Sequence, residues 1–280
     1  DGANIPLIQG DLRDPSSFRI PNEITHVVHS ASIVSDVADA ETCRCNVFDL
    51  ARNLVAAVRD SGAPLRRLVF ISTALTLGYG RSDISEEKPG LPADFIPYTR
   101  FKSLAESWLL DEHARRGLPV VILRPSDVMG PGDRTTSGRL FREGEKGMPL
   151  VIGRGRSRFG YTYIANLCRA AEAALVRDGI EGRAYTVTNG RLPTWGEYLR
   201  TVQAGFGKRQ RIYVPGWIVF AVARAMETVH KLRPSYDPKL TVYRIKRVTT
   251  ETTYDISRTI ADLGFDPDDD YVRQIAETMA

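Results

Sequence analysis

Short runs of apolar, mostly β-branched residues recur along the first half of the chain and constrain its fold more than any other feature. They are "IPLIQ" (5–9), "THVVHSA" (25–31), "RLVFIST" (67–73) and "PVVILRP" (119–125). The centre of each run is apolar at consecutive positions, which is typical of parallel strands buried on both faces of a sheet. Parallel strands need crossover connections, so helices are expected between them.

Helical patterns lie where these crossovers are required. Residues 40–60 and 98–116 show apolar side chains at helical spacing, and Gly62 and Gly117 follow them at positions suited to left-handed caps. Alternation of strands and helices predicts an α/β fold with a doubly wound parallel sheet of the Rossmann type.

The second half of the chain differs from the first in composition and periodicity. After Pro131 the chain is rich in Gly and Arg and weakly periodic, which predicts a loop-rich segment. A helix over 164–178, a strand at "AYTVT" and a helix capped by Thr194 with Glu197 follow. We therefore predict one domain over 1–133 and a smaller, mixed lobe over 134–280, with segments near 160–190 returning to the first domain.

Composition excludes several classes of protein. The net charge of +4 rests on scattered arginines, since only 7 of the 38 basic residues are lysines, so we expect no nucleic-acid partner. Cys43, Cys45 and Cys168 lack a zinc-like spacing and indicate reduced thiols in a cytoplasmic protein. The four histidines are dispersed, and we expect no metal site.

The most apolar stretch of the second half covers residues 215–232. Arg224 and Glu227 interrupt it too soon for a span across a bilayer. We favour a helix packed on the smaller lobe or at a homodimer contact, and expect no binding to vesicles. A position on a membrane surface, suggested by basic residues on both sides, is the less favoured alternative.

Polar and small residues follow each predicted strand. They are "GDLRD" (10–14), "HSAS" (29–32), "STALTLGYG" (72–80) and "RPSDVMGPGD" (124–133). In an open α/β sheet, ligands lie beyond the carboxyl ends of the strands, so these segments are expected at one rim.

Tyr98 and Lys102 open the helix after the third predicted strand, on the same rim. Four positions apart, they would share one helix face. A neighbouring ammonium would lower the pKa of the phenol and make it a usable acid or base. The alternative is ordinary helix surface, because a Tyr and a Lys at this spacing also occur by chance.

With these segments in place, the chain resembles the extended short-chain dehydrogenases/reductases, a group of NAD-dependent epimerases, dehydratases and 3β-hydroxysteroid dehydrogenase-like enzymes. The similarity runs from about residue 4 to the end. It implies that Thr73 bonds the substrate oxygen, that Tyr98 exchanges its proton, and that Lys102 lowers the tyrosine pKa and holds the nicotinamide ribose. It implies that Asn46 helps to order the site; otherwise Thr73 is a strand-end cap and Asn46 a surface amide.

The resemblance also implies contacts to NAD or NADP. Asp11 and Leu12 would contact adenine, and the segment Ser30, Ala31 and Ser32 would let the backbone approach ribose and phosphate. The segment with Pro125, Ser126 and Val128 would lie beside the nicotinamide. The structural alternatives are a turn acid with a core leucine for the first pair, and a plain exit turn for the last segment.

The chain departs from the family pattern in two places. Phe101 stands where a serine usually precedes the lysine, and no G-x-x-G-x-x-G fingerprint precedes the first strand. We interpret the second departure as an N-terminal truncation that also removes the residue choosing between NAD and NADP. Strand 5–9 should then lie detached or pair with 25–31, and the fragment alone should bind dinucleotide weakly and be inactive.

The resemblance implies an NAD(P)-dependent oxidoreductase that acts on a secondary alcohol or ketone of a small-molecule substrate. The "ISTA" segment, the apolar 215–232 stretch and the C-terminal "LGF" favour a steroid- or sterol-like substrate. The alternatives are a nucleotide-sugar epimerase or dehydratase, since "GRGRSRFGYTYI" resembles a segment near sugar-nucleotide phosphates, and a non-catalytic dinucleotide-binding module.

Overall fold

The computed structural model describes residues 6–133, 137–145, 151–208, 213–233, 235–236 and 238–279. The strands, in chain order, are β1 (His26–His29), β2 (Arg67–Ile71), β3 (Val120–Pro125), β4 (Asp127–Met129), β5 (Val151–Ile152), β6 (Tyr161–Tyr163), β7 (Arg183–Val187) and β8 (Tyr213–Val214). The helices are α1 (Ala40–Cys43), α2 (Asp49–Asp60), α3 (Pro97–Arg116), α4 (Ser137–Glu145), α5 (Ile164–Val176), α6 (Trp195–Gly205), α7 (Gly216–Leu232), α8 (Val242–Thr249), α9 (Ser257–Leu263) and α10 (Tyr271–Met279). A π turn (Arg44–Phe48) joins α1 to α2, and 3-10 turns lie at Pro15–Ser17 and Ala74–Leu77.

The main sheet has the strand order β1-β2-β3-β7. β1 and β2 run parallel, as do β2 and β3, with Val28 opposite Val69 and Phe70 opposite Ile122. The crossovers between them contain α2 and α3, as parallel pairing requires. The predicted α/β fold with a parallel sheet is confirmed.

Burial differs between the strands of this sheet. Every residue of β3 is buried, but Val28 in the middle of β1 is 46% exposed. Among the described residues β1 pairs with β2 alone, so burial on both faces was a wrong expectation for β1. Residues 6–10 form no strand, and Leu7 is 92% exposed. Of the two expectations for the 5–9 run, its described residues follow the detached one; residue 5 lies outside the described residues.

An apolar core lies between the sheet and two helices. Phe70 and Ile122 of the sheet pack with Leu54 of α2 and Leu109 of α3, all at most 7% exposed. Gly62 and Gly117 end α2 and α3 with φ of 67° each, a conformation that glycine adopts without strain. The predicted helices and their caps are confirmed.

The chain divides into two compact units. The first comprises residues 1–76, 93–124 and 171–185, and the second comprises 77–92, 125–170 and 186–280. The domain division near residue 133 stays a prediction.

The second unit has an aromatic core. Phe159 contacts Trp195 and Tyr198 edge to face, with ring centroids 5.1 and 5.3 Å apart. Thr194 and Glu197 form a reciprocal capping box that starts α6, as predicted. The segment after Pro131 is less irregular than expected, because it contains the helix α4 (Ser137–Glu145).

Helix α7 covers the apolar stretch predicted from the sequence. It packs in a cluster with α8, where Val219, Ala223 and Ile245 are buried. Within the described residues, no helix is both long and apolar enough to pass through a membrane.

Candidate active site

Helix α3 positions the tyrosine and the lysine that the sequence singles out. The helix begins at Pro97, a residue suited to the first helical position. Tyr98 and Lys102 follow on one face and are 9% and 3% exposed. The Nζ of Lys102 lies 5.9 Å from the centroid of the Tyr98 ring and 4.8 Å from that of Phe70. A phenol and an ammonium group are therefore both buried on one side of the helix.

The ammonium of Lys102 is fastened to the end of β2. Its Nζ donates a hydrogen bond to the backbone oxygen of Ile71 at 2.7 Å. Burial lowers the pKa of Lys102 to about 8, and the nearby carboxylate of Glu106 opposes that decrease. Lysine thus stays charged at neutral pH with two further N–H donors for other acceptors.

The phenol of Tyr98 does not behave as the sequence suggested. Burial raises its pKa well above the ordinary value, and the Cys43 thiol adds to the increase. The net change is therefore opposite to the lowering that the sequence predicts, because desolvation is its largest cause. At neutral pH Tyr98 carries its proton and can act as a proton donor.

Thr73 stands two residues beyond β2, where the 3-10 turn Ala74–Leu77 begins. Its side chain is nearly buried, and Oγ1 accepts a long hydrogen bond of 3.4 Å from the Leu75 amide. The Thr73 carbonyl accepts from the hydroxyl of Thr76 at 2.9 Å. The turn therefore fixes the backbone of Thr73 and leaves the Oγ1–H as a donor.

The buried carboxylate of Glu106 lies one turn beyond Lys102 and forms hydrogen bonds with several segments near it. The carboxylate of Glu106 is bidentate to Arg124, which donates from Nη2 to Oε2 at 2.6 Å and from Nε to Oε1 at 3.2 Å. It also accepts from Ser72, and from Thr76 at 3.1 Å. Ser72 and Thr76 bracket Thr73, so Glu106 ties that segment to α3. Sequence analysis did not identify Glu106. The signal that could have done so is the four-residue spacing of Tyr98, Lys102 and Glu106, which places all three side chains on one stripe of α3.

Asn46 lies in the π turn between α1 and α2. Its Nδ2 donates to the Thr42 oxygen at 2.9 Å, and its backbone oxygen accepts from the Ile33 amide at 3.2 Å. Single π turns inside helices are frequent at functional sites. The side chain is used within its own helix, and it is the Asn46 backbone that holds the loop after β1.

Asp11 and Leu12 belong to a turn on the first unit. Arg13 pairs with the Asp11 carboxylate at 2.6 Å, and this hydrogen bond lowers the pKa of Asp11 to about 2. Leu12 packs against the core, and its carbonyl accepts from Asn53 Nδ2 at 2.7 Å. The turn-acid and core-leucine alternatives describe these contacts, and the adenine role stays a proposal.

The residues at the end of β1 combine small size with exposure. Ser30 and Ala31 are exposed, and the Ser32 hydroxyl donates to the Ile33 carbonyl at 2.9 Å. His29 before them is buried, and its Nε2 has no hydrogen-bond partner among the described residues. Burial, and secondarily Lys102, lowers the pKa of His29 to about 4, so its imidazole is neutral. A backbone that a ligand approaches closely needs such small side chains.

Pro125, Ser126 and Val128 lie where β3 ends and β4 begins. In the second unit, Ser126 donates from Oγ to the Gly160 carbonyl at 2.6 Å and from its amide to Thr162 Oγ1 at 3.0 Å. Val128 pairs with Thr162 in the β4–β6 ladder. The polar groups of Ser126 are therefore used structurally, as the exit-turn alternative expects, and a place beside nicotinamide stays a proposal.

The first-unit residues fit one part of a dinucleotide. Lys102 has N–H donors besides the one that bonds to Ile71, and these could bind the hydroxyl groups of a ribose. Ser30 and Ala31 are small and exposed, so a ligand could approach the backbone there closely. The chain has no glycine fingerprint for the pyrophosphate before these residues. No group of three His, Cys, Asp or Glu suited to a metal ion occurs among the described residues.

Comparison with known proteins finds relatives by sequence and solved structures with the same fold. A 3beta-hydroxysteroid-dehydrogenase/decarboxylase of Arabidopsis thaliana (isoform 2) is 27% identical, over 94% of this chain and 49% of that protein. The 2-alkyl-3-oxoalkanoate reductase of Shewanella oneidensis is 26% identical, over 95% of this chain and 72% of that protein. UDP-glucuronic acid 4-epimerase from Bacillus cereus, solved in complex with NAD, matches the fold with a TM-score of 0.70 at 21% identity, over 92% of this chain and 74% of that one.

This chain spans about half the length of the Arabidopsis relative. The family model for NAD dependent epimerases and dehydratases matches residues 1–188, which is two thirds of the chain. The resemblance carried by Thr73, Tyr98 and Lys102 is thereby confirmed at the level of the family. The chain belongs to the NAD dependent epimerase/dehydratase family.

Proposed function

We propose that the protein is an NAD(P)-dependent oxidoreductase for a secondary alcohol or ketone on a largely apolar molecule. The observation that carries the proposal is the buried pair of Tyr98 and Lys102 on one face of α3, with Lys102 fastened to the Ile71 carbonyl just before Thr73. A regulatory module with no reaction to perform would have no need for an ammonium at 3% exposure, because burying a charge is costly.

Each side chain has a defined task in this reaction. Tyr98, protonated at neutral pH, gives its proton to the substrate oxygen when a ketone is reduced and takes it back in the reverse direction. Thr73 donates from Oγ1 to the same oxygen and orients it. Lys102 would hold hydroxyl groups of the dinucleotide, and its ammonium would stabilise negative charge on the phenol oxygen. The dinucleotide, when bound, supplies or accepts the hydride.

The names of the two sequence relatives support the substrate class. One acts on a 3β-hydroxysteroid and the other on a 2-alkyl-3-oxoalkanoate, so both handle an oxygen-bearing carbon within an apolar skeleton. A nucleotide-sugar epimerase is the second candidate, since the fold matches UDP-glucuronic acid 4-epimerase. The two differ in outcome: an epimerase returns the hydride to its substrate, so no reduced dinucleotide accumulates.

The test is a turnover assay of the full-length protein with NAD and NADP. The substrates are 3β-hydroxysteroids with and without a neighbouring carboxylate, 3-hydroxy acids with long alkyl chains, and UDP-sugars. We expect steady accumulation of reduced dinucleotide with a steroid or a long-chain hydroxy acid. Interconversion of UDP-sugars without net reduction would replace this proposal by the second candidate. Absence of turnover with every substrate, together with intact dinucleotide binding, would favour a non-catalytic module.

A further inference from the structure

One face of helix α7 is apolar and exposed along the whole length of the helix. Its outward side chains are Trp217, Ile218, Ala221, Val222, Ala225, Val229 and Leu232. Trp217 is 74% and Leu232 is 83% exposed. At 3.6 residues per turn these positions fall within an arc of about 140°. Single exposed apolar side chains are ordinary, but a continuous face marks a surface that binds something.

The polar groups near this face are already satisfied or point elsewhere. Thr228 lies within the arc, and its hydroxyl donates to the Arg224 backbone oxygen at 2.9 Å. Glu227 lies outside the arc, and its Oε1 accepts from the Val242 amide at 2.7 Å. The outward arc can therefore enter an apolar medium without leaving a carboxylate or a hydroxyl unpaired.

The stretch of sequence that contains α7 is strongly basic, and this excess of positive charge distinguishes between possible binding partners. Residues 206–250 contain ten basic residues (Lys and Arg) and two acidic ones (Asp and Glu). The whole chain contains 38 basic and 34 acidic residues, so the rest of the chain has 28 basic and 32 acidic residues and is slightly acidic. Arg224 and Lys231 border the apolar arc, and Arg233 follows the helix; all three are exposed. In the part of the chain that the structure describes, none of the three forms an ion pair.

We propose that α7 docks on the surface of a lipid bilayer that carries anionic headgroups. An anionic bilayer offers both complements, apolar acyl chains for the arc and negative charge for its basic border. A second copy of the chain would bring two basic surfaces together, and like charges would oppose the contact. Trp217 suits the headgroup level, where its ring is amphipathic.

The helix lies along the membrane surface in this arrangement. Its 17 residues, with Arg224 and Glu227 inside them, cannot cross the bilayer, and Val219 and Ala223 stay packed on the second unit. The sequence favoured a helix packed on the protein and no binding to vesicles. The helix does pack on the protein, but it does so through one narrow side and leaves the opposite side exposed. On that ground our proposal departs from the expectation of no vesicle binding, which stays untested.

The experiment measures co-sedimentation of the full-length protein with vesicles of phosphatidylcholine, with and without phosphatidylglycerol. We expect binding to the anionic vesicles, weakened by added salt, and little binding to phosphatidylcholine alone. Replacing Trp217 and Leu232 together by serine should lower the vesicle affinity by at least about tenfold. Replacing Arg224 and Lys231 together by glutamine should lower it by about fivefold per charge.

Matched controls separate α7 from the rest of the surface. Val176 is 76% exposed at the end of α5, and Arg19 is exposed near the start of the chain. Val176→Ser and Arg19→Gln should leave vesicle binding unchanged, and circular dichroism should show that all variants are folded. The proposal is overturned by no binding to anionic vesicles, or by equal binding of the α7 variants. A Trp217-dependent dimer that does not bind vesicles would likewise overturn it.

Discussion

The Nζ of Lys102 donates a hydrogen bond of 2.7 Å to the backbone oxygen of Ile71, so a buried charge on α3 is fastened to the last residue of β2. Thr73 follows two residues later, and Tyr98 lies one helical turn before Lys102. The sheet and the helix are thus joined at the point where the proposed chemistry takes place. The same burial that fixes this geometry disfavours the charged form of the lysine.

Lys102→Met should change how stability depends on pH. The pKa of Lys102 is about 8 in the folded chain and 10.5 ordinarily, so the unfolded chain holds the proton more tightly between these values. The charge therefore lowers stability below pH 8, and this effect fades as the pH rises to 10.5. The free energy of unfolding of Lys102→Met relative to the wild type should accordingly fall by about 3 kcal/mol over that range.

Urea unfolding at several pH values measures this difference. Lys88→Met, at an exposed lysine, is the matched control and should show no such trend. A Lys102→Met difference that stays constant with pH would mean that the buried ammonium is not destabilised as inferred.

Tyr98→Phe should remove activity and leave binding intact. The phenol oxygen is the proposed proton donor, and phenylalanine keeps the ring but cannot exchange a proton. We expect the turnover number to fall by at least about 100-fold while dinucleotide affinity changes little, measured by steady-state kinetics and calorimetry of the full-length protein. Tyr185→Phe, at a buried tyrosine of β7, is the control. Retention of most activity in Tyr98→Phe would exclude the residue from the reaction.

The sequence predicted the elements whose signals are local. Continuous apolar runs marked β2 and β3, helical periodicity marked α2 and α3, and the four-residue spacing of Tyr98 and Lys102 marked their common face. These signals depend on neighbours within a turn or a strand, so one chain is enough to read them.

Other features depend on partners distant in the chain and could not be predicted in this way. Glu106 meets Arg124 after 18 residues and Ser72 across 34, and no local pattern reports such a pairing. The raised pKa of Tyr98 comes mainly from burial, which the four-residue spacing to Lys102 does not report. The apolar run at 5–9 has the composition of a strand, but composition does not supply a neighbouring strand, and its described residues stay unpaired.

Glu106→Gln should separate a structural effect from an effect on Lys102. The variant leaves the buried Arg124 without its carboxylate, which is expected to cost about 3 to 5 kcal/mol of stability. We expect activity to fall as Lys102 loses its charge above its pKa of about 8. Because Glu106 raises that pKa, neutralising Glu106 should move this fall to lower pH. Urea unfolding and the pH profile of the turnover number measure the two effects.

The double variant Glu106→Gln, Arg124→Met is the control for this pair. It removes both charges and should recover much of the lost stability, while the pH profile stays shifted. An unshifted profile in both variants would restrict Glu106 to holding the Thr73 segment in place.

His29→Phe should stabilise the protein, and more so in acid. The imidazole is 4% exposed, its Nε2 has no partner among the described residues, and its ring lies 5.6 Å from that of Phe70. Phenylalanine removes the unpaired nitrogen, which should add about 1 to 3 kcal/mol to the free energy of unfolding at neutral pH.

The acid effect follows from the pKa of His29. Burial lowers that pKa from 6.5 to about 4 in the folded chain, so the unfolded chain takes up the proton first as the pH falls. Wild-type stability is therefore lost between these two pH values. The advantage of His29→Phe should therefore grow by about 3 kcal/mol from pH 6.5 to pH 4, whereas His26→Phe, at an exposed histidine of the same strand, should show no growth. If His29→Phe instead destabilises the chain at every pH, or weakens dinucleotide binding by the full-length protein, then Nε2 has a partner in the working protein and His29 belongs to the binding site.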